Sequence, residues 1–162
     1  MGILAQAFPG IRLTGIDMGE AQIEFARKYL PSIGVRDSKL AVGNAVSLPW
    51  PDASFDRIYM IWIIEHLRDP VSVLREACRV LRPGGSIALT ETDYSTISIS
   101  PPHPDYTEFL GRFIEYFNRH GDAFVGRSLG SLLDASGFVD VTSEVIGLNF
   151  WNRRHGKTLA SH

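Results

Sequence analysis

Three places in the sequence bring together residue types able to hold or transform a small molecule. Asp17 follows the alternating run Ile11 to Ile16. A carboxylate closing a strand can accept hydrogen bonds from a pair of ribose hydroxyls, and it can equally cap the helix that follows. Asn44 and Ala45 follow the short apolar run Lys39 to Val42. The Asn44 side-chain carbonyl suits an adenine amino group and the Ala45 backbone N–H suits a ring nitrogen, although asparagine here also suits an ordinary turn. Glu65 and His66 follow the longest apolar stretch. Histidine ordinarily titrates near neutrality, so His66, with Glu65 beside it, is a candidate general base and also a candidate capping or structural histidine.

Other side chains could shape such a site. Trp50, between Pro49 and Pro51, offers a stiff apolar wall near an adenine or else fills surface. Phe109, Phe113, Tyr116 and Phe117 recur at helical spacing, either lining a pocket for an apolar or planar substrate or packing as core. The single cysteine, Cys78, lies on an apolar helix stripe and reads as a small core residue. His120, His155 and His162 show no metal-ligand spacing, so no metal is expected.

The elements that must position these groups alternate between strand and helix. Residues 3 to 8 read as the end of a helix closed by Pro9-Gly10, and Ile11 to Ile16 as a strand ending at Asp17. Glu20 to Leu30 reads as a helix with Ile23, Ala26 and Leu30 inward, stopped by Pro31. Lys39 to Val42 is a short strand, and the loop Leu48 to Asp52 leads to Asp56 to Ile64, whose lack of polar alternation predicts a central strand covered on both faces. Asp69-Pro70 supplies an N-cap and an N1 proline for a helix with Leu74, Ala77, Cys78 and Leu81 inward and Arg75, Glu76 and Arg79 on the wet side. Leu81-Arg82-Pro83-Gly84-Gly85 then predicts a sharp reversal with positive φ at Gly84 or Gly85, before a strand over Ser86 to Asp93. This is a right-handed β-α-β unit with parallel strands. Asp105 with Glu108 predicts a capping box for a helix inward at Tyr106, Phe109, Leu110, Phe113 and Phe117. Leu129, Leu132 and Leu133 mark another helix closed by Gly137, and Phe138 to Ile146 predicts a last strand. Trp151 to His155 carries no periodicity. The fold class is therefore α/β, a doubly wound, mostly parallel, Rossmann-like sheet in a single domain over residues 1 to 162. In such sheets ligands bind outside the carboxyl ends of the strands, here Asp17–Met18, Asn44–Ala45, Ile61–His66 and Glu91–Tyr94.

Composition narrows the partners. The chain is 44% hydrophobic and 21% charged with a net charge of -2, which leaves no electrostatic footprint for nucleic acid or an anionic membrane. The longest apolar run is far shorter than a spanning helix, and residues 1 to 16 lack the pattern of a secretory signal, so the cytoplasm is expected.

Gly15-Ile16-Asp17, Gly43-Asn44-Ala45, Leu48-Pro49 with Pro51-Asp52, Phe55-Asp56, Glu65-His66-Leu67 and Leu81-Arg82-Pro83-Gly84-Gly85 resemble, in order and spacing, the motifs of class I S-adenosylmethionine-dependent methyltransferases. The resemblance is to the small-molecule, methyltransferase type 11-like group that includes quinone-biosynthesis C-methyltransferases, and it runs from about Ile11 to Ile146. It implies S-adenosylmethionine as cofactor and a small-molecule methyl acceptor as substrate. It also implies that Asp17 holds the ribose, Met18 packs on the adenine, Asn44 and Ala45 lie at the adenine edge, and Ile61 sits beside the methionine portion. The family's glycine-rich first motif and its seventh strand have no counterpart here. Asn44 stands where many members have aspartate, and Ile61 where a polar residue is common.

Two other functions fit the same sheet: a non-catalytic remnant or binding module, and a nicotinamide-dependent oxidoreductase. The Pro-Gly-Gly turn and the Asp-x-x-Phe-Asp lead-in favour the methyltransferase pattern over the latter. In the resembled fold the strand carrying the glycine-rich motif lies between those ending at Asp17 and near Ile61. The chain is therefore expected to start mid-fold and to close that slot by direct pairing, or to fill it with another segment or a second copy, making a homo-oligomer. Residues 1 to 162 alone are expected to bind S-adenosylmethionine weakly or not at all, and about 30 upstream residues to restore binding.

Overall fold

A computed structural model describes residues 1–148. Its helices are α1 (Gly2–Ala7), α2 (Glu20–Ser32), α3 (Pro70–Val80), α4 (Pro104–Asn118) and α5 (Leu129–Ala135), and its strands are β1 (Leu13–Asp17), β2 (Ser38–Val42), β3 (Phe55–Ile61) and β4 (Leu81–Thr90). Short 3₁₀ turns cover Ile64–His66, Tyr94–Thr96 and Val125–Ser128. Strand and helix alternate as the sequence predicts, and both strand pairs are parallel. They do not form one ladder: β1 pairs with β2, β3 pairs with β4, and among the described residues no pairing joins β1 to β3. Among the described residues, β1 and β3 therefore do not close the expected slot by direct pairing.

The core belongs to the second pair. Ile64, Leu74 and Val125 are buried together, with Met60, Ile87, Leu89, Leu132 and Phe138 packed around them. Leu74 and Ala77 face inward as expected, joined by Val73 and Val80, while Cys78 is only half-buried. The expectation of a strand covered on both faces is corrected. Along β3, Ile58 and Met60 are half-buried, whereas Tyr59 and Ile61 are exposed. A β-branched run marks a good strand former, but coverage of both faces depends on what packs against it.

Asp69 caps α3 as predicted, its carboxylate accepting from Ser72 N at 3.1 Å with Pro70 in the first turn. Glu76 and Arg79 do not lie on a wet face. The Arg79 guanidinium donates to Glu76 Oε1 at 2.7 Å, to Asp52 Oδ1 at 2.7 Å and to the carbonyls of Trp50 and Leu48 at 2.9 and 3.2 Å. Glu76 also accepts from Leu48 N at 2.8 Å, and these bonds, Arg79's first, hold its carboxyl down at about 2. The pair ties the Leu48–Asp52 loop to α3.

Three other expectations change. Pro31 does not stop α2, which runs on to Ser32. Near a helix end a proline forfeits only one donor, and its carbonyl still accepts from Gly34 N at 3.0 Å. The cap of α4 is His103, whose Nδ1 accepts from Asp105 N at 3.3 Å, rather than the Asp105–Glu108 box, and Phe109 on that helix is 62% exposed. Pro104 fixes the first turn two residues earlier than the box requires. Phe138 to Ile146 is not a strand, and Val145 is 96% exposed. Alternation becomes a strand only through a ladder partner, and among the described residues none pairs with this segment. Gly137 closes α5 as expected, at φ +94. Trp151 to His155, and with them His155 and His162, lie outside the described residues.

The reversal at Leu81 to Gly85 sits inside β4 as an irregularity: Phe55 pairs with Leu81 and Arg57 with Ser86, so one residue opposes four. Gly84 turns this excursion at φ +75, and Arg82 pairs with Asp56 across it. At Gly85 a Cβ would lie 2.8 Å from the Arg82 carbonyl oxygen. Gly84→Ala should therefore lower stability by more than about 1 kcal/mol, whereas Gly111→Ala, in the middle of α4 with open space around it, should be neutral or mildly stabilising. Urea unfolding of the two variants checks this, and equal effects would contradict it.

Candidate functional site

The carboxyl ends of β1 and β2 lie side by side because the ladder continues one step beyond them, Gly43 N donating to the Asp17 carbonyl at 2.9 Å. Asp17, Met18, Asn44 and Ala45 are thereby brought to one edge. Asp17 is exposed, and its Oδ1 accepts from Gly19 N at 2.7 Å, leaving Oδ2 without a partner among the described residues. The capping and ligand-binding readings of Asp17 are thus compatible. Asn44 Oδ1 accepts from Val46 N at 3.1 Å in a local turn, so the group Asn44 has free to donate is its amide NH₂. Ala45 N makes no hydrogen bond within the described residues, and Met18 is exposed beside it. Trp50 is half-buried with its ring edge-on to Phe55 at 5.1 Å, so part of its surface is committed to packing.

The ends of β3 and β4 carry the second group. Trp62, at φ +52, turns the chain out of β3 immediately after Ile61. The Glu91 carboxylate then caps the following 3₁₀ turn, Oε1 accepting from Ile63 N and Ile64 N at 2.9 Å each and Oε2 from Glu65 N at 3.4 Å. This cap directs Glu65 inward, where it is only 2% exposed. Its Oε1 accepts from the Tyr94 hydroxyl at 3.3 Å and lies 3.5 Å from His66 Nε2, while Oε2 has no hydrogen bond of ordinary geometry. Burial, and next the nearby Glu91 charge, raise the Glu65 carboxyl above the usual range, against the smaller opposing effects of His66, Tyr94 and the Thr92 backbone. Burial and Glu65 likewise push the Tyr94 phenol up. The His66 side chain remains 59% exposed, its ring 5.1 Å from that of Phe117.

Around this cluster the aromatic stripe of α4 divides. Phe113 and Phe117 lie 5.0 and 5.4 Å from Tyr94, and Phe109 extends the stack from Phe113 at 6.2 Å. Tyr116 points elsewhere, towards His120. The exit of β4 is pinned by Arg127, which grips Asp93 through Nε at 2.8 Å and Nη2 at 2.9 Å and holds that carboxyl at about 2. Tyr94 N donates to the Ala123 carbonyl and Asp122 N to that of Glu65, both at 2.9 Å, and a Cβ on Gly121 would overlap the Glu65 backbone. Sequence reasoning names the strand end Glu91–Tyr94 but assigns no role to Glu91, Tyr94 or Arg127, whose partners lie 26 to 34 residues away.

Asp17, Met18, Asn44 and Ala45 therefore share one edge, and Ile61, Glu65 and His66 share another, on separate ladders. Neither a cleft of about 530 Å³ nor one of about 290 Å³ is lined by any of the seven. Among the described residues no cluster of His, Cys, Asp and Glu could hold a metal ion, and no helix is long and apolar enough to cross a membrane. Because Glu65 is better suited to its neutral form, its stability contribution is present at low pH and is lost as pH rises through its raised folded value. Glu65→Gln should thus match or exceed the parent stability at pH 7, with its relative advantage shrinking as pH falls through the carboxylate range. Urea unfolding across pH checks this, and a pH-independent loss in the variant would contradict it.

A family model described as a methyltransferase domain matches residues 1–89. A demethylmenaquinone methyltransferase of Listeria welshimeri is 35% identical over 108 residues, covering 67% of this chain and 43% of its own length. The O-methyltransferase resE of Aspergillus sclerotiorum is 34% identical over 130 residues, covering 80% of this chain and 47% of its own length. The chain thus spans less than half of these relatives. A crystal structure from Bacillus halodurans shares the fold with a TM-score of 0.64 at 24% identity, covering 85% of this chain and 58% of that one. Since the family match takes in more than half of the chain, the protein belongs to the methyltransferase domain family.

Proposed function

We propose that this chain, as a single partial domain, carries the residues for methyl transfer from S-adenosylmethionine to a small-molecule acceptor. The observation that carries this reading is the set of groups at the carboxyl ends of the strands: an Asp17 oxygen and an Ala45 N–H that have no partner among the described residues, the apolar Ile61, and the buried Glu65 with His66 beyond it. The first two suit an adenosine, one accepting from ribose hydroxyls and the other donating to a ring nitrogen. Asn44 would add its amide donor, and Met18 an exposed thioether to pack on the base. Ile61 would exclude water beside the methionine portion. When bound, S-adenosylmethionine supplies an activated methyl group for in-line attack by a polar atom or an activated carbon of the acceptor, a reaction governed by distance and angle.

His66 would take the acceptor's proton. Its Nε2 faces Glu65, which leaves Nδ1 as the accepting atom. A positive charge on the ring favours ionisation of the Glu65 carboxyl, so the charge formed at His66 is met in place. Phe113, Phe117 and Tyr94 give the acceptor a planar apolar surface next to that base. The cytoplasm fits a chain whose one cysteine is free, and the net charge of -2 favours neither nucleic acid nor membrane as partner. A second reading, a non-catalytic binding module, is favoured by the separation of the two ladders.

Asp17→Ala should weaken S-adenosylhomocysteine binding by roughly 1.5 to 3 kcal/mol for each charge-assisted hydrogen bond lost. NMR titration reads affinities weak enough to compare the two proteins. Equal binding by parent and variant would remove Asp17 from the site.

A further inference from the structure

The larger cleft, about 530 Å³, opens between the Ile64–Pro70 segment, the end of α4 and the start of α5. Its size is ordinary for a small-molecule site. Ile64 and Val125, both buried, form its apolar base with the half-buried Leu67 and Leu132. Donors dominate its polar lining. Arg68 makes no ion pair among the described residues, its Nη2 only approaching the Arg119 carbonyl at 3.5 Å. Arg119 engages Glu115 through Nη2 at 2.9 Å, and its other guanidinium N–H groups have no partner among the described residues. Asn118 Oδ1 accepts from Ala123 N at 2.7 Å, which leaves the Asn118 NH₂ free to donate. Against these stands one carboxylate, Asp122, whose Oδ1 is already held by Phe124 N at 2.8 Å.

We propose that this cleft binds a small organic carboxylate with an apolar body, its head at Arg68 and Arg119 and its body against Leu67, Val125 and Leu132. Two guanidinium groups match the planar fork of a carboxylate, while Asp122 disfavours a ligand carrying more than one negative charge. The apolar base requires more than a bare anion. This site is lined by none of Asp17, Met18, Asn44, Ala45, Ile61, Glu65 and His66 and does not depend on the methyl-transfer reading.

NMR titration of the 162-residue protein with octanoate, octanol and acetate separates the contributions of charge and chain. Octanoate should give saturable shifts at the amides of Leu67, Gly121 and Ser128, with octanol and acetate each binding at least about tenfold more weakly. Arg68→Ala with Arg119→Ala should weaken octanoate by at least about tenfold. Arg68→Gln alone, at an exposed position, should weaken it by about fivefold and serves if the double variant does not fold. Absence of saturable shifts at these amides, octanol binding as tightly as octanoate, or a folded variant binding octanoate unchanged would each overturn the proposal.

Discussion

Backbone pairing between parallel strands sets the positions of Asp17, Asn44, Ala45 and Ile61, and among the described residues no pairing joins β1 to β3. A carboxylate at one strand end and a histidine at another act on one ligand only if the strands between them hold a common register. Here register is fixed from Leu13 against Ser38 to Asp17 against Val42, and again from Arg57 against Ser86 to Ile61 against Thr90. Among the described residues no hydrogen-bonded step carries it from one ladder to the other. Two-stranded sheets are marginal alone and depend on what packs against them. The β3–β4 ladder has a core of Ile64, Leu74 and Val125, whereas the helix beside β1 and β2 contributes only Ile23 and Leu30 as buried side chains.

This difference runs through the chemistry. At the second ladder, polar groups fix the chain after each strand: Glu91 caps the turn that carries Glu65, Arg127 grips Asp93, and the segment around Gly121 lies against the Glu65 backbone. Their effect is to hold a buried, partly unsatisfied carboxyl between a tyrosine and an exposed histidine. That costs folding free energy and is met by close packing around it. At the first ladder, Asp17 and Asn44 each accept one bond within their own turns through Oδ1 and stay exposed. One half of the candidate site is preorganised and the other is a set of available groups.

Features set by neighbours in sequence were legible from the sequence. Asp69-Pro70 caps its helix, Gly84 takes a positive φ, and Asp17 and Asn44 end adjacent parallel strands because each depends on a few consecutive residues. The misreadings share a different cause. Pro31 reads as a stop, but its position at the end of the helix decides its effect; His103 takes the capping role because Pro104 moves the start of α4. Phe138 to Ile146 alternates like a strand, and alternation says nothing about whether a partner is present. Likewise Tyr59 and Ile61 belong to a good strand whose second face remains open. Glu91, Tyr94 and Arg127 give no local signal, because each acts through a residue brought near only by the completed fold.

If the interrupted ladder governs function, the groups on its two sides cannot hold one ligand tightly. Calorimetric titration of the monomeric 162-residue protein with S-adenosylmethionine tests this most directly. The expected dissociation constant is on the order of 1 mM or weaker. A monomer binding with a dissociation constant on the order of 1 μM would contradict it, and would mean that Asp17, Ala45 and Ile61 converge on one cofactor without a shared register.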